Sequence, residues 1–183
     1  MSKSTPLLVL GLGNVLLEDD GIGAAAVALL LERYEPPQDV QVLDGGTLGL
    51  SLLPYLEDAD AVILVDAIKT DKRPGTLVRL DGDDVPPAVA TRLSPHQVGV
   101  VDLLDGARWL EQYPARLVLL GLVPERMELA VGLSRNVRLA LPSLVDCIVD
   151  EARSLGFAFR RRTTYEKSVA GSALDVARLV RLF

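Results

Sequence analysis

LLVLGLGNVLLEDDGIG (residues 7–23) is the stretch on which the fold turns. Its first half is a continuous Val/Leu run that stops at Gly11 and Gly13, as a buried strand does when it enters a tight turn. Its second half opens a small-residue and leucine pattern over 21–34 that reads as a helix packed on a sheet. A strand, a glycine turn and a helix usually make a phosphate cradle, but the residues here do not suit one. The dinucleotide fingerprint needs a third glycine at position 16, which is Leu, and Gly21 and Gly23 come too late for that spacing. A P-loop needs Gly-Lys-Ser/Thr, and no lysine lies between Lys3 and Lys69. Glu18, Asp19 and Asp20 would also repel a pyrophosphate.

Working outward, further apolar runs at 40–43, 61–66, 76–80 and 117–123 complete a set of strands, with helical patterns at 96–110 and 135–155 between and after them. Gly156 is expected to end the last helix as its C′ glycine. The alternation predicts an α/β fold: a three-layer α/β/α sandwich around a mostly parallel sheet. Pro74 and Gly75 leave too short a return for a parallel crossover, so the strand at 76–80 is expected to be antiparallel. The α/β domain is placed at 1–156. Residues 157–183 are expected to form a basic tail, with Arg160–Arg162 and the Thr163–Thr164 pair as an exposed linker and Ala173, Val176, Ala177, Val180 and Phe183 on one side of a short amphipathic helix.

Composition narrows the function. Among 183 residues, 49% are apolar and one is cysteine, which excludes an internal disulfide framework and fits a reducing, cytoplasmic setting. The longest apolar stretch, AAAVALLL (24–31), falls short of the roughly 18–20 residues of a membrane span. The polar start MSKSTP has no secretory pattern. Residues 1–150 carry 12 Lys/Arg against 22 Asp/Glu, whereas 151–183 carry 7 against 3. So acidic a body makes nucleic acid an unsuitable main ligand.

Three polar residues remain unexplained by folding alone. Asp19 or Asp20 taken singly would read as a favourable charge at a helix N-terminus. AVILVD (61–66), however, ends in Asp66, and with the second strand outside the first, Asp20 and Asp66 border the same switch-point crevice. SPHQ (94–97) holds the one histidine of the chain; Ser94 reads as an N-cap and Pro95 as the first helical residue, putting His96 in the first turn. A helix N-terminus disfavours the imidazolium, leaving a neutral ring able to meet a metal. Two carboxylates and an imidazole form an oxygen/nitrogen donor set suited to a borderline metal such as nickel or zinc. No H-E-x-x-H or G-x-S-x-G motif is present, Asp44-Gly45-Gly46-Thr47 lacks the D-T/S-G order of aspartic proteases, and Cys147 falls inside the last predicted helix.

GLGNVLLEDDGIG (11–23), DGGTLG (44–49), VDAI (65–68), SPHQVGVVDLL (94–104) and LLGLVPE (119–125), in this order, resemble the nickel–iron hydrogenase maturation endopeptidases over about residues 7–155. The resemblance implies a five-stranded α/β/α fold. It also implies a cytoplasmic protease that removes the C-terminal extension of the hydrogenase large-subunit precursor after nickel insertion. The family's metal-contacting residues fall on Asp20, Asp66 and His96, with Asp19 as the structural neighbour. Nickel would come with the substrate, with no tightly bound cofactor of the protein's own. The resemblance leaves open whether nickel polarises the carbonyl or an aspartate activates water. Two alternatives stand beside it: a non-catalytic nickel chaperone or scaffold, and a peptidyl-tRNA hydrolase-like enzyme. The latter's G-L-G-N turn continues with Pro-Gly where Val15 and Leu16 stand here.

Overall fold

The computed structural model describes residues 5–90 and 95–163, with side chains given outside 89–98. In chain order the strands are β1 (Thr5–Leu12), β2 (Tyr34–Glu35), β3 (Val40–Gly46), β4 (Ala59–Ala67), β5 (Leu77–Asp81), β6 (Arg116–Leu122) and β7 (Arg160–Arg161). The helices are α1 (Ile22–Arg33), α2 (Leu53–Glu57), α3 (Val85–Ala90), α4 (Pro95–Trp109) and α5 (Arg135–Ser154). Five strands make one sheet in the order β3-β1-β4-β6-β5. β3, β1, β4 and β6 run parallel, and β5 closes the edge antiparallel to β6. The expected α/β/α sandwich and the antiparallel strand after Pro74 and Gly75 are both present.

Alternation along the central strands sorts their side chains into two cores. Leu7 and Val9 of β1, Ile63 and Val65 of β4, and Val118 and Leu120 of β6 pack with α1 and α5 on one face. Leu8 and Leu10, Val62 and Leu64, and Leu117 and Leu119 pack with α2 and α4 on the other. This two-sided burial is why these strands read as unbroken apolar runs. Because β3 lies outside β1 and the chain then crosses to β4 on β1's other side, the carboxyl ends of β1 and β4 border the switch point of the sheet.

α5 begins after Ser134 and ends in a Schellman turn: Gly156 has φ +97°, its N–H donates to Arg153 O, and Phe157 N–H donates to Ala152 O at 2.9 Å. The chain stays packed on the body beyond Gly156. Phe159 is buried in the α1/α5 core, and Arg160 and Arg161 pair antiparallel with Tyr34 and Glu35. The Arg160 guanidinium is paired with the Glu35 carboxylate. The Arg162 guanidinium donates to the carbonyls of Leu31 at 3.0 Å and Tyr34 at 3.2 Å. Three arginines in a row read as a solvated linker, but their backbone and guanidinium groups tie down the end of α1. The amphipathic helix expected at 173–183 lies outside the described residues. Among the described residues no helix is long and apolar enough to cross a membrane.

Candidate active site

β1 runs out at Leu12, and the turn that follows brings the two predicted acids together. A short 3-10 helix, Glu18–Gly21, leads directly into α1 and packs on β4. Asp20 and Asp66 are both buried. Asp20 Oδ2 accepts the N–H of Asn14 at 2.9 Å. Asp66 Oδ1 accepts the N–H of Ala67 at 2.6 Å. A Cβ placed on Gly13, whose φ is +119°, would overlap the carbonyl oxygen of Asp20 and lie 3.7 Å from Asp66 Oδ1. The Asp20 carboxylate thus rests on the N–H of Asn14, the Asp66 carboxylate lies near Gly13, and the Asp20 carbonyl leaves room only for glycine at position 13.

α4 starts at Pro95 as expected, placing His96 in its first turn; the imidazole itself falls among the side chains not described. The start of α4 is anchored through glycines. Gly99 and Gly49 pack backbone to backbone, a Cβ on Gly99 falling 2.9 Å from the Cα of Gly49. The Gly49 loop begins at Gly46, whose carbonyl accepts the N–H of Gly13 at 3.0 Å. The first turn of α4 is thus linked, through the DGGTLG segment, to the turn that carries Asp20. Gly49 of DGGTLG and Gly99 of SPHQVG have their physical reason in this contact. β3 continues past the apolar run 40–43 and takes in the DGG segment through Gly46.

Asp19 proves to be a tether. Its buried carboxylate accepts three backbone N–H groups from the loop between β6 and α5: Glu125 at 2.8 Å and Arg126 at 3.1 Å on Oδ2, and Ser134 at 2.7 Å on Oδ1. Glu18, at φ +45°, continues the seam by donating its N–H to Ala130 O at 2.9 Å and facing Arg126 at 3.6 Å. The VPE part of LLGLVPE is accordingly where the β6–α5 loop meets the glycine loop. Sequence reasoning identified Asp19 as structural but gave no sign of its partners. Cys147, half-buried on α5, has its thiol pushed up by burial and by the neighbouring Glu151 and Asp150, which keeps it from the reactive thiolate form. Among the described residues no three His, Cys, Asp or Glu side chains gather as a metal group. Asp20 and Asp66 are two buried carboxylates beside one glycine turn, and His96 stands on the helix tied to that turn.

A mostly parallel sheet whose glycine turn carries buried acids in place of a phosphate cradle defines an α/β protein outside the dinucleotide-binding class. Comparison with known proteins gives the particular family. The family model HycI, described as hydrogenase maturation protease, matches residues 25–151. The hydrogenase 2 maturation protease of Escherichia coli K12 is 38% identical over 151 residues, spanning 82% of this chain and 92% of its own. The hydrogenase expression/formation protein HupD of Rhodobacter capsulatus is 40% identical over 151 residues, 82% of this chain and 70% of its own. Among solved structures, the hydrogenase maturating endopeptidase HybD from E. coli superposes with a TM-score of 0.83 at 36% identity, covering 86% of this chain and 98% of that one. The chain belongs to the hydrogenase maturation proteases, and it is a processing endopeptidase.

Proposed function

We propose that this protein cleaves the C-terminal extension from a nickel–iron hydrogenase large-subunit precursor in the cytoplasm, and that it does so only once nickel is in place. The observation that supports the reading is that two buried carboxylates meet the same glycine turn, Asp20 through the N–H of Asn14 and Asp66 beside Gly13, on the sheet edge to which α4 is tied. Asp20, Asp66 and His96 then complete the shell of a nickel ion that the precursor already holds by its cysteine thiolates. Two carboxylates and one imidazole are a partial donor set. They suit a metal fixed by its carrier better than a free ion, which needs a fuller cage. The anchored precursor presents its scissile peptide beside the acids, and proximity replaces a bimolecular encounter. Water adds to the peptide carbonyl carbon, the C–N bond breaks, and the departing amine takes up a proton, giving the mature carboxyl terminus and a free extension peptide.

The test compares nickel-loaded with nickel-free precursor by intact mass, using one preparation of the protease under strict chelation. Trimming of the nickel-loaded form alone is expected. Efficient trimming of the nickel-free form would reject the metal requirement and point to an autonomous aspartate protease, and no trimming of either would favour a chaperone.

A further inference from the structure

Val15 and Leu16 on the glycine loop, and Leu129 and Val131 on the β6–α5 loop, stand in solvent close to the candidate site. Single exposed apolar side chains are ordinary on protein surfaces, but a fixed group of them is not. These four sit on two segments that are hydrogen-bonded to each other. Leu17 and Ala130 form a parallel bridge, in which Ala130 N–H donates to Leu16 O at 3.1 Å and Glu18 N–H donates to Ala130 O at 2.9 Å. In that register Leu16 and Leu129 lie side by side, 53% and 84% exposed. The three N–H groups held by Asp19 brace the same loop from beneath. These bonds fix the two backbone segments relative to each other, so that their exposed apolar side chains form a ridge on a braced base. Preorganised apolar groups of this kind are what a docking surface requires, because little ordering entropy remains to be lost on binding.

We infer that this ridge docks the folded hydrogenase large-subunit precursor, taking an apolar patch next to the precursor's metal site. The inference rests on the proposed processing activity and adds a specificity surface to it. Continuity identifies the occupant. Asn14, whose N–H holds Asp20, is followed directly by Val15 and Leu16, so a partner that brings its nickel to Asp20 and Asp66 also covers the ridge. A second copy of this chain seated there would instead close the site to substrate.

The experiment measures KM and kcat for nickel-loaded precursor with Leu129→Asp, with the Leu16→Asp/Leu129→Asp pair, and with Trp109→Asp as control. Trp109 is 90% exposed at the far end of α4, just before the turn in which Ala115 N–H donates to Asp60 O near the start of β4. The ridge variants are expected to raise KM at least tenfold with kcat within about twofold, to melt as the parent does, and to be rescued by Leu129→Met. Trp109→Asp should leave both constants alone. Unchanged KM in the paired variant, with the parent trimming normally, would overturn the ridge and leave the protease reading intact. A parent dimer that the ridge variants dissociate would overturn it in favour of a second copy. If the parent does not trim but retains the precursor in gel filtration, and the variants lose it, the ridge stands and the protease reading falls.

Discussion

Asp19 and Asp20 are sequence neighbours, both fully buried, and they are engaged in opposite directions. Asp19 turns toward the β6–α5 loop and accepts N–H groups from Glu125, Arg126 and Ser134. Asp20 turns toward the glycine turn and shares it with Asp66. Their asparagine variants should therefore fail differently. Asn at 19 has one acceptor oxygen for three donors and sets its own NH2 against an N–H, a cost of about 2–3 kcal/mol. In a chain of this length that appears as a melting temperature lower by roughly 5–10 °C. Asn at 20 can still accept from Asn14 but carries no negative charge. Asp20→Asn and Asp66→Asn should keep most of the parent melt and lose about a hundredfold or more in processing rate, and His96→Ala should join them. Thermal melts beside intact-mass processing assays separate the two patterns. An Asp19→Asn variant that melts like the parent would show that the tether is dispensable.

Glycines set how the elements approach one another. Position 16 lacks the glycine of a dinucleotide fingerprint, yet the close packing that such a glycine permits is present and comes from Gly11 and Gly23. A Cβ on Gly23 would overlap the carbonyls of Leu12 and Val65, and one on Gly11 would lie 2.6 Å from Gly23 O. α1 thus lies directly on β1 and β4, which draws the 3-10 turn bearing Asp20 down to the sheet. On the opposite face, Gly49 and Gly99 do the same for α4, and Gly49 also needs φ +51°. Gly99→Ala should push the start of α4 off the DGGTLG loop and cut processing about ten- to a hundredfold through displacement of His96, with a smaller effect on the melt. Kinetics on the purified variant check this; parent-like kcat/KM would mean that the helix start tolerates the shift.

For the whole molecule, the question is where the folded body ends. The change of pattern after Gly156 suggested that the body stops there, whereas Phe159 lies in the α1/α5 core and Arg160 and Arg161 pair with Tyr34 and Glu35. Truncation after Gly156 removes the buried ring, the strand pair and the Arg162 bonds to Leu31 and Tyr34. Loss of a buried Phe alone costs about 3–5 kcal/mol. Truncation after Thr163 removes none of these. Circular dichroism melts should show the protein cut after Gly156 strongly destabilised relative to the one cut after Thr163. Equal melts for both would show that residues 157–163 rest on the body without stabilising it.

The sequence by itself determined the layers of this protein, because strand burial and helix amphipathicity are written in the period of apolar residues. It also singled out Asp20, Asp66 and His96 as candidates, since each stands at a strand or helix boundary where chain direction assigns an edge of the sheet. Only the tertiary structure decided what Asp19 holds and how the segment after Gly156 is used. Asp19 reaches N–H groups 106, 107 and 115 residues away. Every residue but proline carries such a donor, so no side-chain pattern announces which ones a carboxylate will select. The arginines at 160–162 likewise have the composition of a solvated linker, and their partners are a carboxylate and two carbonyls at the end of α1, brought within reach only by the return of the chain along α5.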